Sequence, residues 1–348
     1  MNADTIQLAH GGGGRLSRAL IVDDILSRFG DGPLRGLPDG AALPRADASL
    51  IFSTDSFVVQ PVEFAGGNIG DLAVYGTIND IAVSGGRPKW LSLSMILEEG
   101  LPLPILRRVL DSVRSAAARC EVAVVTGDTK VVAHGQCDGL YLNTAGIGEA
   151  LDGFRLAPER IAEGDRVLVS GPIGDHGMAV LAAREEIGIG DGPTSDTGPV
   201  LGLVLAAQEW APDVHFMRDP TRGGLSAVLN EIVEDRDAEI VLTEDDIPLS
   251  AGSRAVAELL GLDFLQVACE GRIVLVCGES AAPGILRRWQ SMSEGRDAAC
   301  IGSVTRWGPA RQGASTGLSA GGRVVMETVV GGRRLVDMPH GELLPRIC

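Results

Sequence analysis

Four acidic corners carry the chemistry most plainly written in this chain: Thr54-Asp55-Ser56, Asn79-Asp80, Gly127-Asp128-Thr129-Lys130 and Arg218-Asp219-Pro220-Thr221-Arg222-Gly223-Gly224. Each adjoins apolar sequence, so each aspartate sits at the corner of a strand or helix rather than in a solvated charge run. Magnesium takes hard oxygen ligands and needs only a few carboxylates beside phosphate oxygens, so separated aspartates converging on one cleft suit a magnesium nucleotide. For any single aspartate a helix cap or a turn is the simpler account. The four together shift that balance, and Asp80, on an otherwise apolar helical face, is the sharpest case. The Asp219 corner adds the guanidinium of Arg222 and the bare backbone of Gly223 and Gly224 just before a helix, a combination suited to phosphate. His10-Gly11-Gly12-Gly13-Gly14 offers similar backbone donors at a possible helix start, or a flexible linker; lacking a GK[ST] ending, it is not a P-loop.

Proton-transfer groups and thiols come next. Lys130, two residues after Asp128, and Glu270, between Cys269 and Gly271, can move protons where partly buried, or lie as solvated surface charges. His176, in Gly174-Asp175-His176-Gly177, fits either a helix-cap neighbour or a phosphate or substrate contact. Cysteines 120, 137, 269, 277, 300 and 348 show no CxxC spacing, which argues against a zinc or dithiol redox motif. Cys120, Cys137, Cys277 and Cys300 lie in or beside apolar segments and read as small buried hydrophobes. Cys348 differs: a thiol in the tail Pro345-Arg346-Ile347-Cys348 is an oxidation liability unless it has a use. The residues alone leave a functional and an incidental thiol equally open.

These residues need a scaffold, and the composition bounds it. With 45% hydrophobic residues over 348 positions, the chain can bury cores for two domains. Its 47 glycines and 4% aromatics point to α/β units with ligand-cradling loops rather than a bundle. The balance of 46 acidic to 30 basic residues, a net charge of −16, opposes nucleic acid and anionic membranes. No leader or long apolar run is seen, so a reducing cytoplasmic setting with free thiols is expected. Apolar periodicity predicts strands at 50–59, 90–97, 121–126 and 139–147, with helices over 68–84 and 104–119, in a domain spanning 1–154. After a charged, proline-bearing link, a second domain spans 155–340. It has strands near 167–171, 239–243, 265–268, 272–277 and 299–305 and helices near 175–187, 198–209, 224–235, 250–260 and 283–293, with a hairpin about Gly331-Gly332. Residues 341–348 read as a mobile tail.

Taken together, Leu8-Ala9-His10-Gly11-Gly12-Gly13-Gly14, Gly76-Thr77-Ile78-Asn79-Asp80-Ile81-Ala82, Thr126-Gly127-Asp128-Thr129-Lys130, Arg218 to Gly224, Ala268-Cys269-Glu270-Gly271 and the terminal Pro345-Arg346-Ile347-Cys348 resemble the HypE family of hydrogenase maturation factors. The resemblance spans the chain, and its terminal signature is the most specific part. It implies two α/β domains of the aminoimidazole ribonucleotide synthetase type, with ATP at their junction and the N-terminal sheets of a homodimer pairing into a barrel. It implies that a partner, HypF, loads a carbamoyl group on Cys348, that ATP with Mg²⁺ dehydrates it to a thiocyanate, and that a HypC–HypD complex accepts the cyanide. On the same ground Glu270 and Lys130 match the base and proton-relay positions, and Asp55, Asp80, Asp128 and Asp219 the metal positions. His10, Gly11, Gly12, Gly13, Thr129, His176, Thr221, Arg222, Gly223 and Gly224 fall among the nucleotide-binding positions. Two rivals remain: a synthetase acting on a small diffusible substrate with Cys348 incidental, and a non-catalytic scaffold that uses ATP for shape.

Overall fold

The computed structural model describes residues 5–11, 15–29, 43, 44, 46, 48–188, 192–234, 236–310, 321–338, 347 and 348. Gly12 and Gly13, and residues 341–346 of the tail, lie outside them. The chain divides into two compact units, one of Met1–Ile81, Gly86–Ala150 and Cys348, the other of Ala82–Gly85 and Leu151–Ile347.

The first unit opens with a 3-10 turn, Leu8–Gly11, and the short helices α1 (Arg15–Ala19) and α2 (Ser27–Phe29). Its sheet comes from β1 (Leu50–Phe57), β4 (Gly86–Glu98), β5 (Ala123–Val132) and β6 (Leu140–Ala150), in the order β1-β6-β4-β5; a ribbon of β2 (Glu63–Phe64) and β3 (Gly67–Asn68) stands apart. Helix α3 (Ile69–Val83) begins with reciprocal capping: Asn68 Oδ1 accepts the Gly70 N–H while Asp71 accepts the Asn68 N–H. It is apolar on nearly every side and correspondingly buried. Helix α4 (Leu103–Arg119) instead shows one apolar stripe, Leu106, Val109, Leu110 and Val113, at the i, i+3, i+4, i+7 spacing of a helix with a wet outer face. Leu91, Leu93, Met95 and Leu97 of β4 are buried, whereas the opposite sheet face exposes Leu50, Phe52 and Ile96. Among the described residues this sheet is open, and the single chain forms no closed barrel.

The second unit holds β7 (Arg166–Val169), α5 (Asp175–Arg184), α6 (Leu201–Ala207), β8 (Val214–Arg218), α7 (Gly224–Val233), β9 (Arg236–Thr243) and α8 (Ala251–Leu260). Then follow β10 (Val274–Cys277), α9 (Ala282–Gln290), β11 (Ala299–Ala310), β12 (Arg323–Glu327) and β13 (Arg333–Leu335). Seven strands run in the order β13-β12-β9-β11-β7-β10-β8, antiparallel except for the β12–β9 pair. Helices cover both faces, which is why β7 and β10 read as continuous apolar runs. Val167, Val169, Val274 and Val276 join the α7 core, while Leu168, Leu275 and Cys277 join that of α6 and α9.

Three expectations change. Residues 265–268 are not a strand: Phe264–Gln266 is a 3-10 turn capped by Asp263, whose carboxylate accepts the Leu265 N–H. Val214–Arg218, where apolar periodicity predicts no strand, is edge strand β8. The Asp128 corner lies inside β5, which continues to Val132. No helix among the described residues is long and apolar enough to cross a membrane.

Candidate active site

In the first unit, Asp55 and Asp80 meet along the seam of β1 and α3. The Ser53 hydroxyl donates to Asp80 Oδ2 at 2.6 Å, and the Thr77 hydroxyl lies 3.3 Å from Asp55 Oδ2. Ser53 and Asp55 share one face of β1, and Thr77 and Asp80 are one helical turn apart, so each carboxylate takes a hydroxyl from the other element across the seam. Asp128 and Lys130 do not join them. Register places Asp128 beside Ser94 and Lys130 beside Ile96, on the open sheet face at the far edge strand, and the two side chains pair at 3.3 Å while remaining exposed. The Leu8–Gly11 turn packs against β5. There the His10 ring caps its own turn, Nδ1 accepting the Gln7 N–H at 2.9 Å, which leaves the neutral ring's proton on Nε2. Cys348 belongs to this unit, its carbonyl accepting the Val58 N–H at 3.1 Å just beyond β1.

In the second unit four loops converge. The Gly174 N–H donates to Cys269 Sγ at 3.1 Å and that of Gly177 to the Ala268 carbonyl at 3.0 Å. The Cys269 N–H donates to the Pro220 carbonyl at 2.9 Å. The N–H groups of Glu270 and Gly271 both donate to the Asp196 carboxylate, each at 3.2 Å, and Arg272 Nε lies 3.5 Å from it. Glu270, only 3% exposed, is therefore seated by its neighbours' backbone on both sides. Asp219 is buried at the mouth of the Thr221-Arg222-Gly223-Gly224 turn, where Arg222 is exposed. Gly224 has φ +60°, and a Cβ there would fall 2.6 Å from the Val267 carbonyl oxygen, so only glycine brings this turn against the 265–267 segment. Cys269 points into the core, and burial pushes its thiol well above the ordinary value. Burial likewise pushes Cys120 up to about 11 and Cys277 to about 12, which keeps both as neutral thiols.

The segment Ser195-Asp196-Thr197 escaped the sequence reading. It lies between Pro193 and Pro199 in a stretch with no apolar period, and the only signal is an aspartate flanked by hydroxyls in a Gly/Pro loop. Gly271 explains how closely this segment approaches: a Cβ there would fall 2.0 Å from the Asp196 carbonyl oxygen. Gly271→Ala is expected to force the segments apart and cost about 1–3 kcal/mol. In a melting curve that is a fall of about 2–4 °C per kcal/mol.

His176 is buried, with Nδ1 2.8 Å from Ser195 Oγ and Nε2 2.6 Å from the Ile347 carbonyl oxygen. Both nitrogens thus face protein, where the sequence reading grouped this residue with nucleotide contacts. Ile347, in the stretch expected as mobile tail, is 4% exposed.

Residues 38–150 match the AIR synthase related protein, N-terminal domain family, and residues 162–310 the corresponding C-terminal domain family. The carbamoyl dehydratase HypE of Azotobacter vinelandii is 40% identical over 344 residues, covering 99% of this chain and 97% of that protein. The chain belongs to the HypE family. A crystal structure of the hydrogenase maturation protein HypE in complex with ATP superposes with a TM-score of 0.90 at 40% identity, covering 99% of this chain and all of that one. A chain of a crystal structure of a HypE–HypF complex superposes with a TM-score of 0.76 at 36% identity, over 94% of this chain and all of that one. The acidic seam and the Glu270 cluster both lie within the part of the chain shared with HypE.

Proposed function

We propose that the chain is an ATP- and Mg²⁺-dependent carbamoyl dehydratase whose Cys348 thiol carries the substrate. The observation that carries this reading is the seating of the terminal residues: both the Ile347 and the Cys348 carbonyls are hydrogen-bonded, and Ile347 is buried. A thiol with no part in the reaction needs no such seat. The HypE relative with ATP and the HypE–HypF complex support ATP as substrate and HypF as carbamoyl donor. A HypC–HypD acceptor follows from the family resemblance, and the free cysteines suit a reducing cytoplasm.

Among the described residues no three or more acidic, His or Cys side chains cluster as a metal cage. The Asp55–Asp80 seam fits magnesium all the same, because that ion is ordinarily held by one or two carboxylates together with nucleotide phosphates. Bound there, Mg²⁺ with ATP supplies charge neutralisation for phosphoryl transfer. Asp55 and Asp80 present oxygens, and the Gly223-Gly224 backbone and Arg222 present donors. The carbamoyl oxygen of the Cys348 thiocarbamate takes the γ-phosphoryl group as ADP leaves and one N–H proton is lost. The C–O bond then breaks, phosphate departs with the electron pair, and loss of the second N–H proton leaves the thiocyanate. Glu270 receives a proton from the nitrogen, and Lys130 serves as the relay expected from the family pattern. Intact mass tests this: carbamoylated protein given ATP and Mg²⁺ loses the mass of one water. A carbamate mass that persists through ATP hydrolysis favours the scaffold.

We further propose that the protein is a homodimer joined through the open sheet face into a barrel. Phe52, 65% exposed, aligns with Ile147 and Trp90 across β1, β6 and β4, and Leu50 extends the patch. A contiguous apolar patch left exposed on a sheet marks an interaction surface. Phe52→Glu should convert the dimer to monomer in light scattering at micromolar concentration; a wild-type monomer under those conditions ends the proposal.

A further inference from the structure

The His176 ring has its proton position fixed by its partners. A carbonyl oxygen only accepts, so Nε2 carries the hydrogen given to Ile347, and Nδ1 must then accept from the Ser195 hydroxyl. Ser195 Oγ, its own proton committed, accepts from the Thr197 hydroxyl at 2.6 Å and from the Thr197 N–H at 3.1 Å. Burial lowers the imidazole pKa below its ordinary value, opposed by the Ile347 carbonyl and the charge of Asp196. The ring is accordingly a neutral donor at neutral pH.

We propose that His176 is a positioning residue for the thiol: its Nε2–H anchors the backbone one residue before Cys348, and Ser195 with Thr197 sets the tautomer that makes it a donor. This rests on the reading of Cys348 as carrier. With the Ile347 carbonyl fixed, its side chain enclosed and the Cys348 carbonyl held by the Val58 N–H, the thiol keeps little beyond its own side-chain rotation, which is how a tethered substrate is brought to a near-attack geometry. The anchor also shares its support with the base. Asp196, between the two hydroxyls, accepts the N–H groups of Glu270 and Gly271, so one three-residue segment places both the tail and Glu270.

The test uses the full-length protein. Carboxypeptidase release of Cys348 and then Ile347, followed by intact mass without ATP, reads the anchor directly. Single-turnover dehydration of the carbamoylated protein reads its use. Losing one buried hydrogen bond should speed release about tenfold in His176→Met. Release in His176→Gln, which keeps a side-chain N–H, should return toward the wild-type rate, and dehydration should slow and recover in parallel. Ser195→Ala, a small change that leaves the ring in place, should fall between. Wild-type release rates in His176→Met, or in Ser195→Ala should the Met variant melt early, overturn the proposal. If wild-type protein fails to dehydrate while release still follows the donor, the carrier reading fails and the anchor stands.

Discussion

Cys348→Ala protein, given HypF, carbamoyl donor, ATP and Mg²⁺, should form no thiocyanate at all. The expectation is stronger than for an ordinary catalytic residue, because the side chain removed is the covalent attachment point of the substrate. General bases and oxyanion donors usually leave residual catalysis when deleted, whereas a missing carrier leaves nothing to act on. The other cysteines offer no substitute: Cys269 and Cys277 are buried, and burial raises the thiols of Cys120, Cys137 and Cys300. Mass spectrometry of the protein after each step is the measurement. Nitrile formed by the alanine variant at the wild-type rate would show that the enzyme acts on a diffusible substrate, the rival reading of the same fold.

Glu270→Gln should slow the dehydration of pre-carbamoylated protein by about 10²–10⁴-fold, the usual worth of a general base. Glutamine keeps the shape and volume of the side chain, and the Glu270 N–H to Asp196 bond is a backbone contact, so the melting temperature should hardly move. The carbamoylated form should then accumulate, which separates a lost base from a lost carrier. A rate within about threefold of wild type would remove Glu270 from proton transfer, since a general base is worth far more. Lys130 calls for the parallel test: it lies exposed beside Asp128 on the open sheet face, apart from the Asp55–Asp80 seam in its own unit.

What the sequence disclosed follows from how local each signal is. The stripe of α4 and the apolar runs of β7 and β10 report burial within a few residues, so periodicity locates them. The 264–266 turn was misread because Phe264 and Leu265 are apolar for packing reasons, while a single carboxylate, Asp263, sets the local backbone. Strand β8 was hidden because its five residues run straight into the Asp219 turn. Of the site, Asp55, Asp80, Glu270 and the glycine turns were legible as residue types at corners. The face on which each lies was not: pairing register alone separates Asp128 from Asp55 and Asp80. Asp196 was invisible because its work is done by contacts to backbone groups 74 and 75 residues away.

The contact at Ile347 involves its carbonyl, an atom that every amino acid possesses. The hydrogen bond therefore fixes the spacing along the chain to the sulfur, while the enclosed Ile347 side chain limits what fits at that position. An extra residue between Ile347 and Cys348 would leave the grip intact yet carry the sulfur up to about 3.5 Å farther along an extended backbone. The grip on position 347 thus acts as a ruler for where the sulfur stands.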